Sequence, residues 1–151
     1  MIRTFFDSGV LIAAARSVGP DRARALELLG EPDRVPLTSP FVHLEVVLKA
    51  TFFKKRLEQS FYDRYFANAV WFREVDRIES AAQREATKAG LGAMDALHLA
   101  AAHLSNAEEF ITTEKPTLTT ICGRVAIAQI ARTTGTIYSR GTTNGAMPVS
   151  A

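Results

Sequence analysis

Short apolar runs alternate with longer stretches of helical periodicity along most of the chain. The run from Ile2 to Phe6 predicts a buried strand, and residues 8–16 predict the helix that follows it. Further runs of strand length occur at 35–38, 70–75, 109–113 and 125–130. Strands that alternate with helices favour a parallel sheet covered by helices, so we expect an α/β fold.

Capping and helix-breaking residues locate the helices between these strands. Ser39 is placed to cap a helix over 41–53, and Pro40 fits its first position. Asp21 is the expected cap of a helix over 22–29, which Gly30 ends. Pro36 restricts the strand at 35–38 to an edge or an end of the sheet. The remaining helices are expected at 57–68, from 76 or 77 to 89, and at 94–105.

A single domain is the simplest organisation for 151 residues of which 47% are hydrophobic. We expect this domain at 1–132. The segment 133–151 is rich in Thr, Gly and Ser, and we expect a flexible tail there, with a partner-binding arm as the alternative. The net charge of +2 tolerates a polyanionic partner but does not indicate one.

The single cysteine, Cys122, cannot form an internal disulfide, which is typical of a reduced cytosolic protein. Asp7 interrupts the first apolar run, which is too short for the core of a signal peptide. No apolar run approaches the roughly 18 residues needed to span a bilayer. We therefore expect a cytoplasmic protein with no membrane partner.

Two acidic residues directly follow predicted strands. Asp7 ends the first strand, and Glu114 follows the strand at 109–113. Ligands of parallel sheets bind beyond the carboxyl ends of the strands, so both positions are candidates for a site. The alternatives are that Asp7 caps the next helix and that Glu114 is an exposed loop residue.

Two further acids lie in apolar helical surroundings. Helical spacing places Glu45 beside Phe41, Leu48 and Phe52. We therefore expect it within an apolar arc, where a carboxylate needs a partner or a metal ion. The alternative is a residue at the rim of the core, bridged to an arginine such as Arg3. Asp95 begins a helix that is apolar nearly all round, and it points to the interior or a cleft unless it serves as a cap.

Together these acids predict a divalent metal site. Hard cations such as Mg²⁺ take carboxylate oxygens, whereas clustered carboxylates without a cation repel one another. A site of this kind suits phosphodiester hydrolysis, because bound metal ions activate water and stabilise the leaving oxygen.

One histidine and a cluster of basic residues near these acids each have a functional and a structural interpretation. His98 shares a helix face with Asp95 and could orient its carboxylate, although such histidines are more often core residues. A basic cluster at the end of the Glu45 helix could draw an RNA backbone toward the acids or could simply favour the helix C-terminus. The cluster comprises Lys49, Lys54, Lys55 and Arg56.

Four segments, in this order, resemble the PIN-domain family, and within it the VapC-type ribonuclease toxins. They are FDSGVLI at 6–12, FVHLE at 41–45, MDALHLA at 94–100 and FITTE at 110–114. The resemblance implies a three-layer α/β/α fold around a parallel sheet. It also implies a Mg²⁺- or Mn²⁺-dependent endoribonuclease, a homodimer, and a cognate antitoxin whose segment enters the active-site groove.

The resemblance extends to individual site residues. Asp7, Glu45 and Asp95 match the metal-holding acids of the family, and Glu114 stands where the family more often has Asp. Supporting hydroxyl groups are expected from Ser8, Thr112 and Thr113. Two alternatives remain open: a PIN-like module that binds RNA or protein with weak or no catalysis, and a nuclease of the same fold that acts on DNA.

Overall fold

The computed structural model describes residues 1–16, 18–113 and 126–129 of the chain. Glu114, Cys122 and the segment 133–151 lie outside these residues, so the predictions made for them stay predictions. The described strands are β1 (Ile2–Phe6), β2 (Arg34–Thr38), β3 (Val70–Trp71), β4 (Glu109–Thr112) and β5 (Ala126–Gln129). The described helices are α1 (Ser8–Arg16), α2 (Pro20–Gly30), α3 (Pro40–Phe52), α4 (Arg56–Asn68), α5 (Val75–Ala89) and α6 (Ala93–Leu104).

The five strands form one parallel sheet in the order β3-β2-β1-β4-β5. This confirms the predicted α/β class. Because parallel crossovers are right-handed, helices α1 to α4 cover one face of the sheet, and α5 and α6 cover the other. The contacts agree, since α1 packs on α3 and α4, and α5 packs on α6. Strand order reverses between β1 and β4, which is where ligands bind in open sheets of this type.

Aromatic residues of β1 and β4 form the centre of the core. Phe5 and Phe6 are buried, and the ring of Phe5 stacks on Phe110 with centroids 5.9 Å apart. Because successive side chains of a strand point to opposite faces, helices on both faces of the sheet bury these two neighbouring rings. No helix in the described part of the chain is long and apolar enough to cross a membrane.

Two helix starts test the predicted caps. Ser39 caps α3 as expected, and its side chain accepts a hydrogen bond from the Val42 amide at 3.5 Å. The prediction for α2 was wrong, because the helix begins at Pro20 with Gly19 as its N-cap and Asp21 lies in its first turn. Gly19 has φ of 81°, a conformation that glycine adopts easily, so the chain can turn into the helix without a side-chain cap.

The proline in β2 lies where one side of the strand has no partner among the described residues. Pro36 pairs with Thr4 of β1, whereas β3 pairs only with Leu37 and Thr38. Strand β3 is short because α5 begins at Val75, so the strand predicted at 70–75 occupies only its first two positions. Among the described residues, β2 is therefore an edge strand at 34–36, as Pro36 predicted, and has neighbours on both sides only at Leu37 and Thr38.

Candidate active site

Asp7 lies at the reversal of strand order, at the carboxyl end of β1. Its backbone amide donates to the Ile111 carbonyl at 2.9 Å, which extends the β1–β4 pairing by one residue. Its side chain is almost entirely buried. Asp7 therefore lies beyond the end of a buried strand, as predicted, and the neighbouring strand β4 fixes its backbone.

Hydrogen bonds hold both carboxylate oxygens of Asp7. The Thr112 hydroxyl donates to Oδ2 at 2.9 Å. The Ser8 amide donates to Oδ1 at 2.7 Å, and the Ser8 hydroxyl donates to the same oxygen at 3.3 Å. These donors fix the orientation of the carboxylate. Two of the predicted supporting residues therefore contact Asp7 directly.

Thr113, the third predicted supporting residue, packs against α1 rather than against an acid. A Cβ added at Gly9 would collide with the Thr113 hydroxyl oxygen. Glycine at position 9 therefore lets α1 begin close against the end of β4. This close approach keeps Asp7, two residues before Gly9, beside Thr112.

Glu45 reaches the same region from α3. Its Oε2 lies 2.7 Å from Nε2 of His98 on α6, and that nitrogen lies 3.7 Å from Oδ1 of Asp7. The hydrogen bond with His98 is the main reason why the pKa of Glu45 is lowered, and the positive charge of Lys49 acts in the same direction. The structure gives Glu45 a histidine partner instead of Arg3, which bonds the carbonyl oxygens of Ser105 and Asn106.

The expected apolar arc around Glu45 exists, but it faces solvent. Leu48 is 61% exposed and Phe52 is 79% exposed in the described structure. The side chain of Glu45 itself is 36% exposed. The burial argument for Glu45 was therefore wrong, because helical spacing shows which residues share a face and not what covers that face.

Asp95 lies in the first turn of α6, one turn before His98. Burial raises its pKa most, and the negative charges of Asp7 and Glu45 raise it further. Electrostatic coupling to both acids places its carboxylate in their neighbourhood. Asp7, Glu45 and Asp95 thus come from three separate elements and lie around one histidine.

His98 is the residue whose role the sequence left undecided. It is 1% exposed, as a core histidine would be, yet its Nε2 contacts the carboxylate of Glu45. Its Nδ1 is buried without a hydrogen-bond partner among the described residues. The spacing of three residues from Asp95 was the available indication that it faces the acids.

The acids fit a divalent cation in ligand type. Within residues 1–16, 18–113 and 126–129, no three His, Cys, Asp or Glu side chains are arranged so that they could hold a metal ion. The donor set is nevertheless the one that Mg²⁺ and Mn²⁺ take, and a cation would relieve the repulsion that raises the pKa of Asp95. The side chain of Glu45 is 36% exposed, so it has room to turn toward a cation.

The fold and this cluster define a class: a doubly wound α/β protein with acidic residues at the point where strand order reverses. The sequence profile described as "PIN domain" matches residues 4–115, about three quarters of the chain. The chain therefore belongs to the PIN domain family. No curated protein sequence matches it.

Three solved structures are similar in fold to this chain. VapBC2 from Rickettsia felis, solved bound to a DNA fragment from its promoter, matches with a TM-score of 0.67 at 16% identity, covering 86% of this chain and 100% of that one. A toxin–antitoxin complex from Klebsiella pneumoniae matches with a TM-score of 0.61 at 21% identity, covering 81% and 94%. FitAcB from Neisseria gonorrhoeae matches with a TM-score of 0.54 at 23% identity, covering 82% and 95%. The predicted family resemblance is confirmed at the level of fold.

Proposed function

We propose that the protein is a metal-dependent endoribonuclease and the toxin of a toxin–antitoxin pair. The observation that carries the proposal is the gathering of Asp7, Glu45 and Asp95 around His98, where strand order reverses. Membership of the PIN domain family supports a nuclease that breaks phosphodiester bonds. The choice of RNA as substrate comes from the resemblance to VapC-type toxins.

In this proposal the three acids hold Mg²⁺ or Mn²⁺, which would activate water and stabilise the leaving oxygen. Thr112 and Ser8 orient Asp7 by donating to both of its oxygens. His98 orients Glu45 through its hydrogen bond. Glu114 remains a proposed fourth ligand.

The decisive experiment replaces Asp7 with Asn. We expect wild-type protein to cleave single-stranded and structured RNA in Mg²⁺ or Mn²⁺, and we expect Asp7→Asn to lower the rate by more than about 100-fold, because a ligand is lost while its size is kept. Asp63→Asn is the matched control, since Asp63 is exposed on α4. Cleavage that survives both Asp7→Asn and EDTA would contradict the proposal.

An antitoxin is the proposed protein partner. The support is that similar folds were solved in toxin–antitoxin complexes. Expression of the chain in bacteria should arrest growth, and co-expression of a small protein encoded in the neighbouring reading frame should relieve the arrest. Arrest by Asp7→Asn protein as well would contradict a nuclease toxin.

One observation favours a second candidate, a PIN-like binding module with weak or no catalysis. No described set of side chains is prearranged for a metal ion. This candidate predicts that Mn²⁺ binding is weak or absent while RNA or protein binding persists. Calorimetry that finds tight Mn²⁺ binding, lost in Asp95→Asn, would exclude it. Parallel assays on RNA and DNA separate the proposed ribonuclease from a DNA-directed enzyme.

A further inference from the structure

The guanidinium of Arg73, which follows β3, lies over a fixed aromatic ring. Its guanidinium carbon is 3.9 Å from the centroid of the Trp71 ring. The indole itself is held in place, because its Nε1 donates to the Phe66 carbonyl at 3.0 Å. The same ring packs against Phe66 at 5.3 Å and against His43 at 5.7 Å, measured between centroids. The position of the guanidinium is therefore defined before any ligand binds.

The charge of Arg73 has no carboxylate partner among the described residues. The nearest acid in sequence, Glu74, pairs with Arg77 at 2.8 Å. Arg73 is exposed. A guanidinium stacked on an aromatic face keeps the N–H donors along its edge free, and these donors match the oxygens of a phosphate. Trp71 is covered by Arg73 on that face, so we assign the contact to a phosphate and not to base stacking.

The sheet places Arg73 at the edge that carries the acids. Thr38 of β2 pairs with Trp71, and the Phe72 amide donates to the Thr38 carbonyl at 2.9 Å. Phe5 pairs with Leu37 in the same register, so Phe72 is level with Asp7 across the sheet. Two strand spacings separate them, about 10 Å. Arg73 directly follows Phe72, so it lies at the same end of the sheet as the acids.

We propose that Arg73, held on Trp71, binds a backbone phosphate of single-stranded RNA a few nucleotides from the cleaved bond. Arg73 is then a substrate-positioning residue and takes no part in bond breaking. The inference rests on the proposed ribonuclease function and extends it to the path of the substrate, which runs from the acids across β2 toward the end of β3.

The test measures binding and turnover separately. The probe for binding is a fluorescein-labelled single-stranded oligoribonucleotide of mixed sequence, titrated with Asp7→Asn protein in EDTA. In that background Arg73→Ala should weaken binding about tenfold and reduce the slope of log affinity against log salt by about 0.7, the value for one phosphate on a single strand. Arg73→Lys keeps the charge but not the planar stack, so it should restore the salt slope and only part of the affinity.

The second measurement is the rate of RNA cleavage, made in protein that carries the wild-type Asp7. Arg73→Ala should raise KM about tenfold and leave kcat unchanged, because the contact exists equally in the ground state and the transition state. Arg77→Ala is the matched control, since its guanidinium carbon lies 5.8 Å from the Phe72 ring centroid but its charge is paired with Glu74. It should change neither affinity nor KM.

The outcomes separate the two proposals. If wild-type protein cleaves RNA and Arg73→Ala keeps full affinity and salt slope, the phosphate contact is wrong and the nuclease stands. If Arg73→Ala and Arg77→Ala weaken binding equally, the contact is also wrong, because only general positive charge matters. If no RNA is cleaved while binding depends on Arg73, the nuclease is wrong and the contact stands.

Discussion

At the scale of single residues, Asp95 shows that the candidate site lowers the stability of the folded protein. Burial and the charges of Asp7 and Glu45 raise its pKa, so the folded protein disfavours its ionised form. Residues that sacrifice stability in this way cluster at functional sites more often than elsewhere. The raised pKa therefore supports a site that awaits a cation.

We expect Asp95→Asn to raise the thermal midpoint at pH 7 in EDTA. Because the pKa of folded Asp95 lies above its ordinary value of 3.8, the wild-type protein loses stability as pH rises through 3.8, and the full loss is present above the folded pKa. The Asp95→Asn variant has no carboxylate at this position, so it does not lose this stability. The gain should therefore be present at pH 7 and shrink as the pH falls toward 3.8.

Differential scanning calorimetry at several pH values measures this gain. Asp63→Asn, which changes an exposed acid on α4, is the control and should show no such pH-dependent gain. A gain of equal size at every pH would mean that Asn improves packing, and the electrostatic explanation would be wrong.

At the scale of elements, the start of α1 depends on close contact with the end of β4. Gly9→Ala should destabilise the protein by about 1–3 kcal/mol, because the new methyl group meets the Thr113 hydroxyl. This overpacking exceeds the roughly 0.5–1 kcal/mol that alanine gains over glycine within a helix. Urea unfolding measures the difference.

The end of α2 supplies the control for this substitution. A Cβ at Gly30 would meet nothing within 4 Å, so Gly30→Ala should be neutral or slightly stabilising. If Gly9→Ala is as stable as Gly30→Ala, the contact between α1 and Thr113 does not constrain the site.

The sequence predicted the helices and strands better than it predicted which side chains contact one another. The cap at Ser39 and the buried strand β1 were predictable, because both depend on residues adjacent in the chain. The role of His98 was not, because its partner Glu45 is 53 positions away and only the fold brings them together. The exposure of Leu48 escaped prediction for the same reason, since it depends on what lies opposite α3.

At the scale of the whole molecule, α3 presents an exposed apolar stripe formed by Leu44, Leu48 and Phe52. These side chains are spaced by four residues and form one ridge along the helix. Contiguous exposed apolar surface of this kind marks protein interfaces. The homodimer implied by the family resemblance stays a prediction, and we expect this stripe to form its contact, because a straight ridge can pack against its own copy.

Sedimentation velocity should detect a dimer of the purified chain, and Leu48→Asp should convert it to monomer by placing two charges in the contact. Leu26→Asp is the matched control, because Leu26 is an exposed leucine on α2, outside the stripe. A wild-type monomer, or a dimer that Leu48→Asp leaves intact, would contradict the prediction.

The hydrogen bond between Thr112 and Asp7 joins positions 105 residues apart. During synthesis, a ribosome must therefore reach Thr112 before this carboxylate acquires its partner. For the proposed ribonuclease toxin, such an order would withhold activity until β4 has been made. Chains released before that point would lack β4, and with it the means to damage their producer.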